Sequence, residues 1–128
     1  METIKIAKAI IKYNQQYLVK QSNSLLKKWQ FFDVIVDDGQ NEIGALSKEL
    51  KNQLDISTNP GKVFCEISYF ENGKKYDVKA FVVNIFNEKD FEKYEPECKL
   101  FLLSEMKTLK WENIDKVIMQ KLLDENKW

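Results

Sequence analysis

Histidine and arginine are both absent from this 128-residue chain, so its 20 cations are all lysine. Without histidine there is no imidazole to act as a base or a metal ligand. Without arginine there is no forked guanidinium to read phosphate or carboxylate with paired hydrogen bonds, and an anion must be met by lysine as a point charge. Cysteine is down to 2, glycine to 4 and proline to 2. Cys65 and Cys98 lie far apart with no partner pattern, which excludes a zinc site or disulfide framework and predicts two reduced thiols in or near the core of a cytoplasmic protein. Long apolar runs are missing too. Lysines interrupt the opening METIKIAKAIIKY, which excludes a signal peptide or a membrane span. Acidic residues also number 20, so the formal charge is zero and no bulk attraction to nucleic acid or anionic lipid is expected.

What remains is ordinary for a globular protein: 44% hydrophobic and 31% charged residues, in a length that suits one domain over 1–128. Ile4–Tyr13 is rich in β-branched residues and reads as a strand, with Asn14-Gln15-Gln16 turning it into a return strand at Tyr17–Lys20. Ser22–Lys28 is a polar loop, and Trp29–Val36 is the next strand, ended by Asp37-Asp38-Gly39. Glu42–Leu54 is the first clear helix. Ile43, Leu46, Leu50 and Leu54 form its apolar stripe, Asn41 is its expected N-cap, and Glu42 suits the positive end of the dipole. Asp55–Lys62 is a loop. Asn72-Gly73 marks a hairpin between strands at Val63–Phe70 and Lys75–Phe86. An acidic loop over Asn87–Glu97 precedes a short strand at Leu100–Leu103. A second helix follows over Glu112–Asn126, with Ile114, Val117, Ile118 and Leu122 facing inward. Strands flanking one helix, a long hairpin and a closing helix predict an α+β chain, an α/β/α sandwich around a mixed sheet.

The stretch Trp29–Ile56, WQFFDVIVDDGQNEIGALSKELKNQLDI, carries the chemistry. On the helix, Glu49, Asn52 and Gln53 share a face, because positions three and four apart are surface neighbours. This stretch resembles a Nudix box, whose pattern is an aromatic lead-in and two glycines, the second of which opens G-x5-E-x7-R-E-U-x-E-E-x-G-U with U aliphatic. Trp29-Gln30-Phe31 takes the lead-in, and Asp33-Val34 falls where the two glycines belong. Gly39-Gln40 replaces Gly-Glu, Lys48-Glu49 replaces Arg-Glu, Asn52-Gln53 replaces Glu-Glu, and Asp55-Ile56 replaces Gly-aliphatic. The order of elements is similar to small MutT-like nucleoside triphosphate pyrophosphohydrolases over nearly the whole chain. Gln21 stands where their first hairpin ends in arginine, and Trp111 and Asp115 match their closing strand and helix.

The resemblance implies a helix that holds Mg2+ or Mn2+ through glutamates, with the metal binding a phosphate chain that water attacks. It implies metal ligands at Glu49, Asn52, Gln53 and Asp33, a catalytic role for Glu49, and ligand contacts at Asp115, Gln21 and Lys28. Many members of the family pair, so a homodimer is compatible with it. The exchanges argue against the usual reaction. Asn52 and Gln53 each replace a negative ligand by a neutral amide. One unit pair at about 4 Å is worth about 4 kcal/mol at an effective dielectric of about 20, so two neutralised ligands should cripple metal affinity. Magnesium needs hard oxygen donors that include carboxylate. Asp33, Asp37, Asp38, Glu95 or Glu97 are the available replacements. The expectation is therefore a degraded box that binds a nucleotide, another small phosphate ligand or a protein partner with weak or no hydrolysis; the alternative is a metal-dependent hydrolase with a rearranged site.

Overall fold

The computed structural model describes residues 2–22, 25, 27–56, 61–85 and 98–125. The expected acidic loop with Glu95 and Glu97 lies outside these residues, as do 57–60 of the loop after the first helix and the terminal Trp128. Within the described residues seven strands and three helices follow in the order β1 (Thr3–Tyr13), β2 (Gln16–Gln21), β3 (Trp29–Gln30), β4 (Phe32–Val36), α1 (Glu42–Leu54), β5 (Val63–Glu71), β6 (Lys74–Ile85), β7 (Cys98–Leu102), α2 (Leu103–Met106) and α3 (Asn113–Glu125). The strands run β3-β2-β1-β6-β5 across one sheet, with β4 also on β1 and β7 also on β2. Among the described residues no helix is long and apolar enough to cross a membrane.

The chain divides into two compact units, and β1 contributes to both. The first unit, 1–10 with 32–84, sets β1 antiparallel to β4, Lys5 opposite Val36 and Ala9 opposite Phe32. In it α1 packs on β4, burying Ala45, Leu46, Leu50 and Leu54. The helix starts as its sequence predicts, with the Asn41 side chain accepting the Gly44 N–H at 3.1 Å. It stops at Asp55, which takes a left-handed conformation (φ 54°, ψ 39°) and donates its N–H to Lys51 O, in the place where glycine usually ends a helix. The hairpin β5–β6 closes with Glu71 opposite Lys74, and φ is positive at both Asn72 and Gly73, as a two-residue primed turn requires.

The second unit, 11–31 with 85–128, pairs β2 antiparallel with the end of β1, with β3 and with β7. Its core includes Ile11, Leu18, Val19, Phe31, Met106 and Ile118. The short helix α2 has no counterpart in the sequence reading. Its Glu105 side chain accepts the Leu102 N–H at 2.8 Å, a local bond that holds a single turn too short to show periodicity.

Three expectations change. Trp29–Val36 is two strands rather than one, because the Phe31 N–H leaves the ladder for the Asp115 carboxylate. Ile43 is 42% exposed: the spacing gives its angle on the helix, but it lies in the first turn, and burial begins at Ala45. Val117 is likewise 42% exposed, since the buried face of α3 is Asp115, Ile118, Met119 and Leu122. That face centres about 150° from Val117 at 100° per residue. A buried aspartate marks its middle, which a search for apolar periodicity passes over.

Candidate functional site

The box-like stretch occupies the first unit. Its turn is closed twice: Gln40 Oε1 accepts the Asp37 N–H at 2.9 Å, and the Gln40 N–H donates to Asp37 O at 3.0 Å. Gly39 has φ +84° with nothing within 4 Å of an added Cβ, so glycine is required there for backbone conformation and not for space. Gln40 makes the bond a glutamate would make, while bringing two N–H donors in place of a charge.

From that turn the chain enters α1. Lys48, Glu49 and Asn52 project with Ala45 into a cleft of about 200 Å³ whose other walls are Val34, Ile35, Asp37 and Gln40. Glu49 is half-buried, whereas Lys48 and Asn52 are exposed. Among the described residues the side chains of Lys48, Glu49 and Asn52 make no hydrogen bond or ion pair, so Glu49 is not tied up by its neighbour Lys48. Gln53 is half-buried, lies outside the cleft lining and is engaged elsewhere. The exposed Asp38 is outside the lining as well, but Asp37 is part of it.

Asp33 is engaged across the β1–β4 ladder. It sits directly opposite Lys8 in the β1–β4 ladder, and Lys8 Nζ meets Asp33 Oδ2 at 2.8 Å. The Lys8 side chain is only 5% exposed and that of Asp33 32%, so the carboxylate compensates an ammonium held out of water. Both Asp33 and Val34 lie in extended strand, and neither has the positive φ that a double glycine would permit.

A divalent ion is a poor match for the donors in this cleft. They comprise two carboxylates, Asp37 and Glu49, with the Lys48 ammonium on the same wall. Among the described residues no three His, Cys, Asp or Glu side chains converge in a way that could hold a metal. Magnesium and manganese want several hard, mostly anionic oxygens. The Lys48 ammonium, the Asn52 amide and the Gln40 amide nitrogen are the hydrogen-bond donors on the same walls.

The other nominated contacts fall in the second unit. Asp115, in the first turn of α3, is 2% exposed, and its Oδ1 accepts the Phe31 N–H at 2.8 Å. Phe31 in turn stacks on Trp111 at 5.3 Å, and Trp111 Nε1 donates to Met106 O at 3.0 Å. Gln21 pairs with Trp29 across β2–β3, and the Lys28 carbonyl accepts the Ser22 N–H at 2.7 Å. Ser22 Oγ also donates to Glu112 Oε1 at 3.0 Å. Trp29 packs edge-on against Phe101 at 5.0 Å. These residues are therefore brought together as packing and hydrogen-bonding partners of one unit.

Sequence reasoning missed Lys48 and Ile35 as cleft residues. Lys48 was visible only as a replaced arginine, and Ile35, 63% exposed, looked like one more strand aliphatic. A second cleft in the first unit, about 350 Å³, is lined by Lys5, Glu42, Glu66, Ser68, Lys75, Asp77 and Lys79 among others. Its charges largely neutralise one another. Lys79 Nζ lies 3.2 Å from Glu66 and 3.4 Å from Glu42, and hydrogen bonding to Glu66, then to Glu42, raises its pKa above the ordinary lysine value. Ser68 Oγ donates to Asp77 Oδ1 at 2.7 Å. Despite its smaller volume, the α1 cleft has more unengaged chemistry.

No family model matches the sequence, and no curated protein does. Solved structures match its fold. The solution structure of the E. coli ORF135 protein is similar at a TM-score of 0.79 and 16% identity, over 97% of this chain and 91% of that one. A NUDIX hydrolase from Nitrosomonas europaea is similar at 0.74 and 14% identity, over 97% and 90%. The NUDIX domain of Shewanella oneidensis NrtR, solved with ADP ribose, is similar at 0.74 and 8% identity, over 98% and 89%. At these identities the likeness concerns the fold, and the fold is the Nudix fold.

Proposed function

We propose that this domain is a Nudix-fold binding module for a nucleotide or other small phosphate ligand, with weak or no hydrolysis. One observation carries the reading: in the α1 cleft Lys48 and Asn52 stand unengaged beside Glu49, where a metal-dependent hydrolase would need a cluster of carboxylates. Lys48 supplies the point charge for a phosphate, and the amides of Asn52 and Gln40 supply hydrogen bonds to its oxygens. Exposed Ile35 and half-buried Val34 offer an apolar wall. The NrtR neighbour with ADP ribose supports a ligand of this class, since the same fold there holds a nucleoside diphosphate derivative.

Thermal shift with ADP ribose and with nucleoside triphosphates, each with and without magnesium or manganese, tests the proposal. Stabilisation that needs no metal is expected, reaching about 2.7 kcal/mol at about a hundred times Kd. Lys48→Met should remove it, and Glu49→Gln should preserve it or strengthen it by removing repulsion. Stabilisation only with metal, together with pyrophosphate release abolished by Glu49→Gln, would establish the hydrolase instead. No shift with any nucleotide would point to a protein partner.

A further inference from the structure

The strand β5 ends the sheet order, and among the described residues no strand covers its outer edge. Natural edge strands are shielded by charged side chains, above all lysine, by proline, by bulges or by brevity. This one runs nine residues, VFCEISYFE, with no lysine, proline or glycine, and its one register irregularity is confined to Val63/Cys65 at the start. None of its residues is buried, and Val63 and Phe70 are 46% and 66% exposed.

The backbone parity follows from the hairpin. Glu71 and Lys74 flank a two-residue turn and so form a hydrogen-bonded pair, which makes Tyr69, Ile67 and Cys65 the inward-bonding residues of β5. Glu66, Ser68 and Phe70 then direct their N–H and C=O groups outward. An antiparallel second copy can satisfy them only in a register that sets outward residues opposite outward residues. The register two-fold about Ile67, the middle of the strand, meets that condition: Glu66 faces Ser68 of the other copy. On the opposite face Cys65 meets Tyr69 and Ile67 meets itself. No glutamate opposes a glutamate, whereas registers centred on Glu66 or Glu71 set like charges directly opposite, which is unfavourable.

We infer that β5 is a self-association edge, and that two copies of this chain join by antiparallel β5–β5 pairing centred on Ile67, extending the sheet from one copy into the next. The device is β-strand addition with isologous symmetry, so it closes at a dimer.

Sedimentation equilibrium over a concentration series should show a reversible monomer–dimer system. Ser68→Glu places a glutamate opposite Glu66 twice and should weaken the dimer about tenfold, while Ser68→Lys places a cation there and should tighten it. In a Cys65→Ser background, Ile67→Cys should oxidise to a disulfide-linked dimer. Cα atoms of a directly opposed, non-hydrogen-bonded pair lie about 4.5 Å apart, and disulfides span about 4.4–6.8 Å. Ser68→Cys in the same background should not cross-link. A protein that stays monomeric throughout, a dimer indifferent to both charged Ser68 variants, or cross-linking of the Ser68→Cys variant but not of the Ile67→Cys variant would each overturn the inference.

Discussion

The backbone N–H of Phe31 donates to Oδ1 of Asp115 at 2.8 Å, joining residues 84 positions apart in a buried setting. The bond interrupts what would be a continuous strand, sets Phe31 against Trp111 and places a carboxylate on the inner face of α3. Removing the acceptor leaves a buried N–H without it, at a cost of about 1–3 kcal/mol and more when the lost partner is charged. Asp115→Ala should lower unfolding free energy by about 3 kcal/mol, and Asp115→Asn, which keeps an acceptor oxygen, by less than half of that; urea denaturation measures both. If Asp115 acted instead as a base reader, these variants would alter nucleotide selectivity at nearly unchanged stability.

The Lys8–Asp33 pair predicts an asymmetry. Asp33→Ala strips a nearly fully buried ammonium of its 2.8 Å counter-charge, and breaking such pairs from one side costs about 3–5 kcal/mol. Lys8→Met leaves only Asp33, already one-third exposed, and substitutes an apolar chain of similar length, so a cost of about 1 kcal/mol is expected. The double variant should recover most of the Asp33→Ala loss. A double-mutant cycle with equal single effects would contradict this assignment.

Asp55 ends α1 in a left-handed conformation that costs a non-glycine residue about 1–2 kcal/mol. Asp55→Gly relieves that cost but increases unfolded-state freedom, and it removes the exposed Lys51 pair at 2.9 Å. The opposing effects leave a net change within about 0.5 kcal/mol. Asp55→Val, branched and without a local acceptor, should instead cost more than about 1 kcal/mol. Thermal midpoints of the two variants should separate clearly.

Tyr17 gives a pH dependence. It is buried, and burial raises its phenol pKa above the ordinary value near 10. Its contribution to stability is complete below the unfolded-state value and is lost as pH rises through the folded-state value, because the unfolded chain ionises first. Wild type should therefore lose stability faster than Tyr17→Phe above about pH 10, while the difference between them stays constant from about pH 7 to 9. Urea midpoints across that range provide the check.

Much of the architecture was legible locally. The helix α1 appeared at its observed limits because Asn41, Glu42 and the Leu46–Leu50–Leu54 spacing are short-range signals, and Asn72-Gly73 announced its hairpin for the same reason. The exchanges at Gln40, Asn52 and Gln53 likewise needed no coordinates. What those residues do was not legible. Gln40 proves to close a turn, Gln53 lies outside the cleft, and Lys48 joins Asn52 inside it.

Chain order alone therefore decides α1, the β5–β6 hairpin and the loss of charge along the α1 face, since these depend on residues within a few positions of one another. Tertiary structure alone decides which polar groups are occupied. Asp33 becomes the partner of Lys8, and Asp115 becomes the acceptor for Phe31, across separations of 25 and 84 residues. A carboxylate reads the same in sequence whether it waits for a ligand or satisfies a buried donor. Only the fold, by removing water from that donor, determines which of the two it does.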